Sequence, residues 1–426
     1  MKIFNKLNSI KAIQLFQVFR FASVFLTGVI LAKKGFTTEA IGNYETFLFI
    51  SYAATFFWLS GITNSFLSLF PKISASEQKQ LLFNTALQLV FFTIVSIVFI
   101  SALSFTTIIQ AEWLWLIALY LLLNIPAYLN EYILLVKEEN KTLSTYGVVS
   151  FLLHIGIVLF AVFSSTNIEM VLCALVAIAA IKFGYLIFLL FRNAIIQFNF
   201  SQQQLLANSS MPLALSYLLS GSAEVIDSFL VKHFYSESQF AIYRYGAREF
   251  PIILLMANAF SSAAIPKVAA NLEEGLQLIK ENSLKLFNSF FPITVLLMFS
   301  SKYLFQYVFN IQFTQSAAIF NIYLLLIISR LLFPQTILNG LGKNKILVVS
   351  ALFETILNIT LSLIFMQYYS ILGIAYATVI AHLFDKLLLI LYLKYKLKIE
   401  PERYIVGSQY IFYSGLLIII FYLLSI

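Results

Sequence analysis

Long apolar runs separated by short polar interruptions recur from one end of the chain to the other. A helix needs about 20 apolar residues to cross a bilayer core near 30 Å thick. On that ruler the pattern predicts thirteen spans, at 12–32, 41–70, 80–105, 112–136, 142–165, 169–191, 207–231, 240–266, 286–308, 316–340, 346–368, 371–393 and 404–425. The longest connections, 192–206 and 267–285, are too short for an extramembrane domain, so any chemistry is expected in or beside the bilayer. The N-terminal run is basic and then apolar, carries Arg20 in its middle and lacks a small-x-small cleavage site. It reads as a retained first span rather than a signal peptide.

Composition agrees with this segmentation. Hydrophobic residues make up 61% of the chain and charged residues 11%, against about 25% charged in soluble proteins. Mean hydropathy is +0.90. The expected class is an all-α polytopic membrane protein. The single cysteine, Cys173, excludes an intramolecular disulfide and a cysteine-rich metal site, and inside an apolar run it reads as a small buried side chain.

The basic residues give an orientation, because lysine and arginine collect in cytoplasmic loops. With the N-terminus inside, seventeen of the 27 lie on the inner side and four (Lys33, Lys34, Lys232 and Lys302) on the outer side. The other six, Arg20, Lys182, Arg244, Arg248, Arg330 and Lys386, fall within spans. The bias predicts a cytoplasmic N-terminus and a cytoplasmic 192–206 connection; thirteen spans would put the C-terminus outside.

A weak repeat has a period of six spans. Lys33 precedes Tyr44 by eleven residues, and Phe70-Pro71-Lys72 follows; Lys232 precedes Tyr243 by eleven, and Ile265-Pro266-Lys267 follows. Pro126 precedes Lys182 by 56 residues and Pro334 precedes Lys386 by 52. Because six is even, the halves keep one orientation and would be related by an axis along the membrane normal. The expected lobes are 1–200, with spans 1–6, and 201–398, with spans 7–12; 399–426 adds a further span.

The chain's most concentrated charge lies at 221–251, where Glu224, Asp227, Arg244, Arg248 and Glu249 sit in sequence apolar enough for a bilayer. A polar turn at 234–239 predicts a helical hairpin that sets Glu224 and Asp227 at the depth of Arg244 and Arg248. Spacings of three and four put each pair on one helix face. A charge at a helix centre costs about 2.5–3.5 kcal/mol on the insertion scale, so such a cluster is held by pairing or by a wet cavity. A structural ion-pair ladder and a substrate or gating role both fit.

Near the midplane of other spans lie Arg20, His154, Lys182, Arg330, Glu354, His382, Asp385 and Lys386. Asp385 and Lys386 are adjacent and point to different helix faces, which argues against a simple local pair. His154 and His382 are single histidines on apolar helices, as core residues commonly are. Glu354 has no partner three or four residues away. Intramembrane bases outnumber the acids Glu224, Asp227, Glu249, Glu354 and Asp385, so a cavity lined this way suits an anion such as phosphate. Arg20, Lys182, Arg330 and Lys386, with Arg244 and Arg248, are the candidate substrate-binding set. Glu354, Asp385, Asp227 and Glu224 are candidates for coupling or gating. No catalytic or metal-ligating group is expected.

Ile226-Asp227-Ser228-Phe229-Leu230-Val231, then Ala241-Ile242-Tyr243, then Ile265-Pro266-Lys267 resembles the second-half signature of the polysaccharide and O-antigen flippases of the multidrug/oligosaccharidyl-lipid/polysaccharide (MOP) exporter superfamily. Gly42-Asn43-Tyr44 and Gly61 before Phe70-Pro71 resemble its first-half counterpart. The likeness of layout covers nearly the whole chain, although relatives carry twelve or fourteen spans. It implies two six-helix lobes in a V around a central cavity, alternating access, and an undecaprenyl-pyrophosphate-linked oligosaccharide as cargo in a bacterial cytoplasmic membrane. No cofactor is implied beyond proton or sodium coupling. Expected partners are the lipid-linked sugar, membrane lipids and polysaccharide polymerase machinery, with no nucleic acid. A drug exporter of the same superfamily is the alternative within transport, disfavoured by the positive excess. A membrane-embedded glycan polymerase or glycosyltransferase should show a sizeable outer loop with paired carboxylates, and the sequence has none.

Overall fold

The computed structural model describes residues 9–104, 113–248 and 251–425. All of its regular structure is helical. In chain order the helices are α1 (Ser9–Lys33), α2 (Thr38–Ala53), α3 (Phe56–Leu69), α4 (Ala75–Ser104), α5 (Leu114–Ala127), α6 (Leu129–Val136), α7 (Asn140–Ser164), α8 (Ile168–Asn193) and α9 (Phe200–Phe234). They continue with α10 (Glu237–Gly246), α11 (Pro251–Ala270), α12 (Leu272–Val308), α13 (Ser316–Leu324), α14 (Ile327–Arg330), α15 (Pro334–Gly340), α16 (Asn344–Tyr369), α17 (Ile371–Leu397) and α18 (Gly407–Ser425). Ten helical segments among the described residues are long and apolar enough to cross a membrane, and the bent pair α2/α3 makes an eleventh.

That number is below the thirteen expected because runs 207–231 and 240–266 behave differently from the rest. The first lies in α9, where Ser201, Gln202, Gln203 and Gln204 follow the opening Phe200 and further polar residues occur along its length. The second is divided between α10 and α11 rather than continuous. The turn between α9 and α10 falls where the polar residues predict it. Ser236 caps α10 in a reciprocal box with Gln239, and Lys232 pairs with Glu237 across the turn.

Other runs expected to be continuous are also broken, 112–136 between α5 and α6 among them. Helices α2 and α3 meet at a 50° bend. No proline causes it; the freed Ala54 carbonyl instead accepts from the Trp58 indole at 2.8 Å and the Ser96 hydroxyl at 3.0 Å. A membrane helix tolerates such a break only when side chains replace the missing backbone partners. Run 316–340 is divided into α13, α14 and α15, with tight i-to-i−3 bonds at Leu325 and Leu326 and Pro334 opening α15. Proline is well placed there, since the first helical residue needs no intrahelical N–H bond.

The chain forms two compact units, Met1–Gly221 and Ser222–Ile426, whose boundary falls inside α9. In the first, α1 packs on α7, and α5 packs on α8 and α4. In the second, α16 and α17 form a close hairpin, and α18 packs along α12. The α12–α18 seam is aromatic: Phe291 stacks on Tyr413 at 5.3 Å, and Tyr413 donates to Asn288 at 2.9 Å. A core around Ala264, Val268, Ile279, Phe333, Ile337 and Leu393 ties α11, α12, α15 and α17 together.

Candidate functional site

Each compact unit buries its own polar cluster. In the first unit, Arg20 projects from α1 and its Nη1 donates to both carboxylate oxygens of Glu131 on α6, at 3.0 and 3.2 Å. The guanidinium also lies over the rings of Tyr128, at 5.2 Å, and Phe16, at 5.7 Å. Glu131 is 2% exposed and lies in the first turn of α6, just after the α5/α6 break that follows Pro126. Lys182 on α8 is close enough to act electrostatically on both partners.

Polar side chains complete the cluster. His154 on α7 is buried, with Nε2 3.0 Å from the Thr27 hydroxyl. That hydroxyl donates to the Ser23 carbonyl at 2.9 Å, so the imidazole N–H is the donor to Thr27. Asn130 donates to the Tyr146 hydroxyl at 3.0 Å and to the Lys182 backbone carbonyl at 2.9 Å. Arg20, Glu131, His154, Lys182, Tyr146 and Asn124 line one cavity of about 90 Å³. With one arginine, one lysine and one carboxylate, its ionisable side chains carry a net positive charge when ionised, and it presents both a forked and a point cation to an anion.

The second unit holds two clusters. In one, Lys386 Nζ lies 3.0 Å from Asp385 Oδ2, and Ser350 donates to the other oxygen. This corrects the expectation that adjacent side chains would diverge. Both side chains are 9% exposed, and a lysine stem is long enough to turn back along its own helix when burial makes an unpaired ammonium costly. Glu354 on α16 interacts electrostatically with Asp385, Lys386 and Arg330. His382 is buried on the same helix as the pair.

The other cluster centres on Asp227, which is 2% exposed. Its carboxylate accepts from Asn358 at 3.1 Å, from Thr378 at 2.6 Å and from Tyr323 at 3.4 Å. Ser362 donates to the Asn358 side-chain oxygen at 2.9 Å, and the Tyr243 and Tyr323 hydroxyls lie 2.8 Å apart. Neutral groups from α13, α16 and α17 therefore converge on one carboxylate.

The paired-face geometry expected for the hairpin changes on the arginine side. Helix α10 ends at Gly246, so Arg248 lies beyond it and does not share a helical face with Arg244. Arg248 Nε reaches back to the Arg244 carbonyl at 3.3 Å, and its guanidinium lies 5.1 Å from the Tyr245 ring. Arg244 donates to Ser228 at 3.2 Å. The side chain of Glu224, and Glu249 altogether, lie outside the described residues.

Of the four midplane bases, Arg20 and Lys182 meet in the first unit, while Arg330 and Lys386 belong to the second. Two further buried acids, Glu131 and Glu45, turn the intramembrane balance from six bases against five acids to six against seven, so the expected excess of bases does not hold. They lie toward the ends of the predicted spans 41–70 and 112–136, so an acid inside an apolar run was the signal available. Asn358, Thr378 and Tyr323 carried no such signal.

No family model matches the sequence, and no curated protein matches it. Solved structures do. The lipid II flippase MurJ in an inward closed conformation superposes with a TM-score of 0.69 at 17% identity, covering 96% of this chain and 92% of that one. An inward-facing multidrug resistance MATE family transporter of the MOP superfamily gives 0.60 at 13%, covering 88% and 94%. A MOP superfamily transporter from Pyrococcus furiosus, described as having a binding pocket of reverse polarity, gives 0.56 at 13%, covering 92% and 97%. The chain has the MOP transporter fold. It is a multi-pass membrane protein whose structural neighbours are transporters and flippases.

Proposed function

We propose that this protein is a flippase that carries an undecaprenyl-pyrophosphate-linked oligosaccharide, a repeat unit of O-antigen, capsule or exopolysaccharide, across the bacterial cytoplasmic membrane. The observation that carries the reading is the cavity of the first unit, where Arg20 and Lys182 face a single carboxylate. A pyrophosphate meets there a bidentate donor and a point charge. Within the second unit Arg330 and Lys386 are the candidate cations, Lys386 already in an ion pair with Asp385, and the lipid tail stays in the bilayer throughout. Alternating access moves the head group between the leaflets.

Asp227 is the coupling position in this scheme. A buried carboxylate with the Thr378 and Tyr323 hydroxyls beside it offers hard oxygen donors to a proton or an alkali cation, either of which is a co-substrate here. Organic cations would meet like charge at Arg20 and Lys182, which disfavours drug export.

Translocation of a labelled lipid-linked oligosaccharide in proteoliposomes tests the proposal. Lys182→Gln, and Arg20→Gln made together with Glu131→Gln so that no buried carboxylate is stranded, are each expected to lower the rate at least tenfold while the protein accumulates at the parental level. Parental rates in both variants, or export of an organic cation with no movement of the lipid-linked sugar, would overturn it.

A further inference from the structure

A second cavity lies on the exposed side of the first unit. It is a groove of about 410 Å³ between α7 and α8, within the size range of pockets that hold small ligands. On α7 its wall comprises Lys141, Thr142, Thr145, Tyr146, Val149, Ser150 and Leu153, spacings that trace one stripe along a helix. On α8 the facing stripe is Ile178, Ile181, Lys182 and Tyr185. Val149 and Ile181 are each nearly half exposed, so the groove is open along its length rather than filled by a neighbouring helix.

The groove has a polarity. Its end at the start of α7 carries the Lys141 ammonium beside the Thr142 and Thr145 hydroxyls; its other end, at Leu153 and Ile178, is apolar. Lys141 is exposed and takes part in no ion pair or hydrogen bond among the described residues. Twelve residues of helix separate Lys141 from Leu153, which is about 18 Å. One leaflet of a bilayer core is about 15 Å deep. Tyr185 stacks on Tyr146 at 5.1 Å, and the two rings form a rigid floor close to the charged end.

We propose that the α7/α8 groove is a binding site for one anionic phospholipid of the leaflet adjoining the α6/α7 connection. Its phosphate sits against Lys141, Thr142 and Thr145, and one acyl chain lies over Val149, Leu153, Ile178 and Ile181. Charge at one end and leaflet-deep apolar length at the other match an anionic diacyl lipid, and a zwitterionic lipid lacks the net charge that Lys141 recognises. Lys182, Tyr146, Ser150 and Ile178 line both this groove and the Arg20 cavity, so the lipid lies against the wall of the polar cluster. The site does not depend on the nature of the transported molecule.

Native mass spectrometry of the purified full-length protein with phosphatidylglycerol or phosphatidylcholine tests the site. One phosphatidylglycerol is expected to be retained more strongly than phosphatidylcholine. Lys141→Gln should reduce that preference at least threefold, and Val149→Trp or Ile181→Trp should abolish retention of the lipid at this site. Leu152→Trp, at an exposed position outside the groove, should change neither. Equal retention of both lipids by the parent protein, or parental retention in both groove-filling variants, would overturn the proposal. Preferential retention of undecaprenyl phosphate that phosphatidylglycerol cannot displace would also overturn it, since the groove would then serve an isoprenoid lipid. If a tryptophan variant fails to fold, Lys141→Gln and the displacement measurement still decide.

Discussion

Arg20 and Glu131 show how a charge is carried within a span in this protein: the carboxylate accepts two bonds from one guanidinium nitrogen, and aromatic rings cover the rest of the group. Removing one member leaves the other without its counter-charge. Glu131→Gln is expected to destabilise the protein by about 1–3 kcal/mol, the range for stranding a buried polar partner. A fully buried pair would lose more, but the Arg20 side chain is 37% exposed and can recruit water. Arg20→Gln combined with Glu131→Gln should be more stable than Glu131→Gln alone, as a thermal melt in detergent would show; strictly additive losses would remove the coupling. Asp227 makes a different prediction, because Asn358, Thr378 and Tyr323 bring an amide and two hydroxyls to its carboxylate. If a cation occupies that ring, sodium should raise the melting temperature relative to choline in the parent protein and have no effect in Asp227→Asn. Equal sodium stabilisation in both would place the ion elsewhere.

At the scale of elements, breaks and close approaches carry the specific geometry. The α2/α3 bend depends on side chains that satisfy the Ala54 carbonyl, one of them the Trp58 indole. Trp58→Phe keeps the aromatic volume near Phe92 but removes that donor, and should cost about 1–3 kcal/mol by the same reasoning. At the α16/α17 hairpin, Ser370 turns the chain with a φ of 54°, and Gly373 then packs so closely that a Cβ would lie 2.4 Å from the Phe365 carbonyl group. Backbone cannot yield as a flexible side chain does. Gly373→Ala is therefore expected to lower stability by about 1–3 kcal/mol, as overpacking does, and to lower the yield of folded protein on size exclusion. A parental melting temperature in that variant would show that the hairpin opens without loss.

For the whole molecule, the open quantity is its direction in the membrane, for which the bias of basic residues is the argument. In a Cys173→Ser background, Ser201→Cys should react with a membrane-impermeant maleimide only after the cells are permeabilised. Labelling of intact cells would reverse the orientation and move the leaflet assigned to Lys141 with it. Ser201 is exposed near the start of α9, so the reagent has access to it.

The sequence by itself determined that this is an all-helical membrane protein, because length of apolar run and scarcity of charge follow directly from the thickness and dielectric of the bilayer. It also marked Arg20, Lys182, Asp227, Arg330, Glu354, Asp385 and Lys386 as unusual, since an ionisable group at mid-span is costly wherever it points. What it could not supply was partnership. Whether Lys386 turns back to Asp385, whether Glu131 answers Arg20 across 111 positions, and whether Asp227 is met by Asn358 and Thr378 depend on which helix faces pack together. The helix break at Ala54–Thr55 likewise depends on a distant group, the Ser96 hydroxyl, and on the nearby Trp58 indole, and periodicity has no term for them. Burial cost is a property of one residue and can be read along a line, whereas its compensation is a property of pairs brought together by the fold.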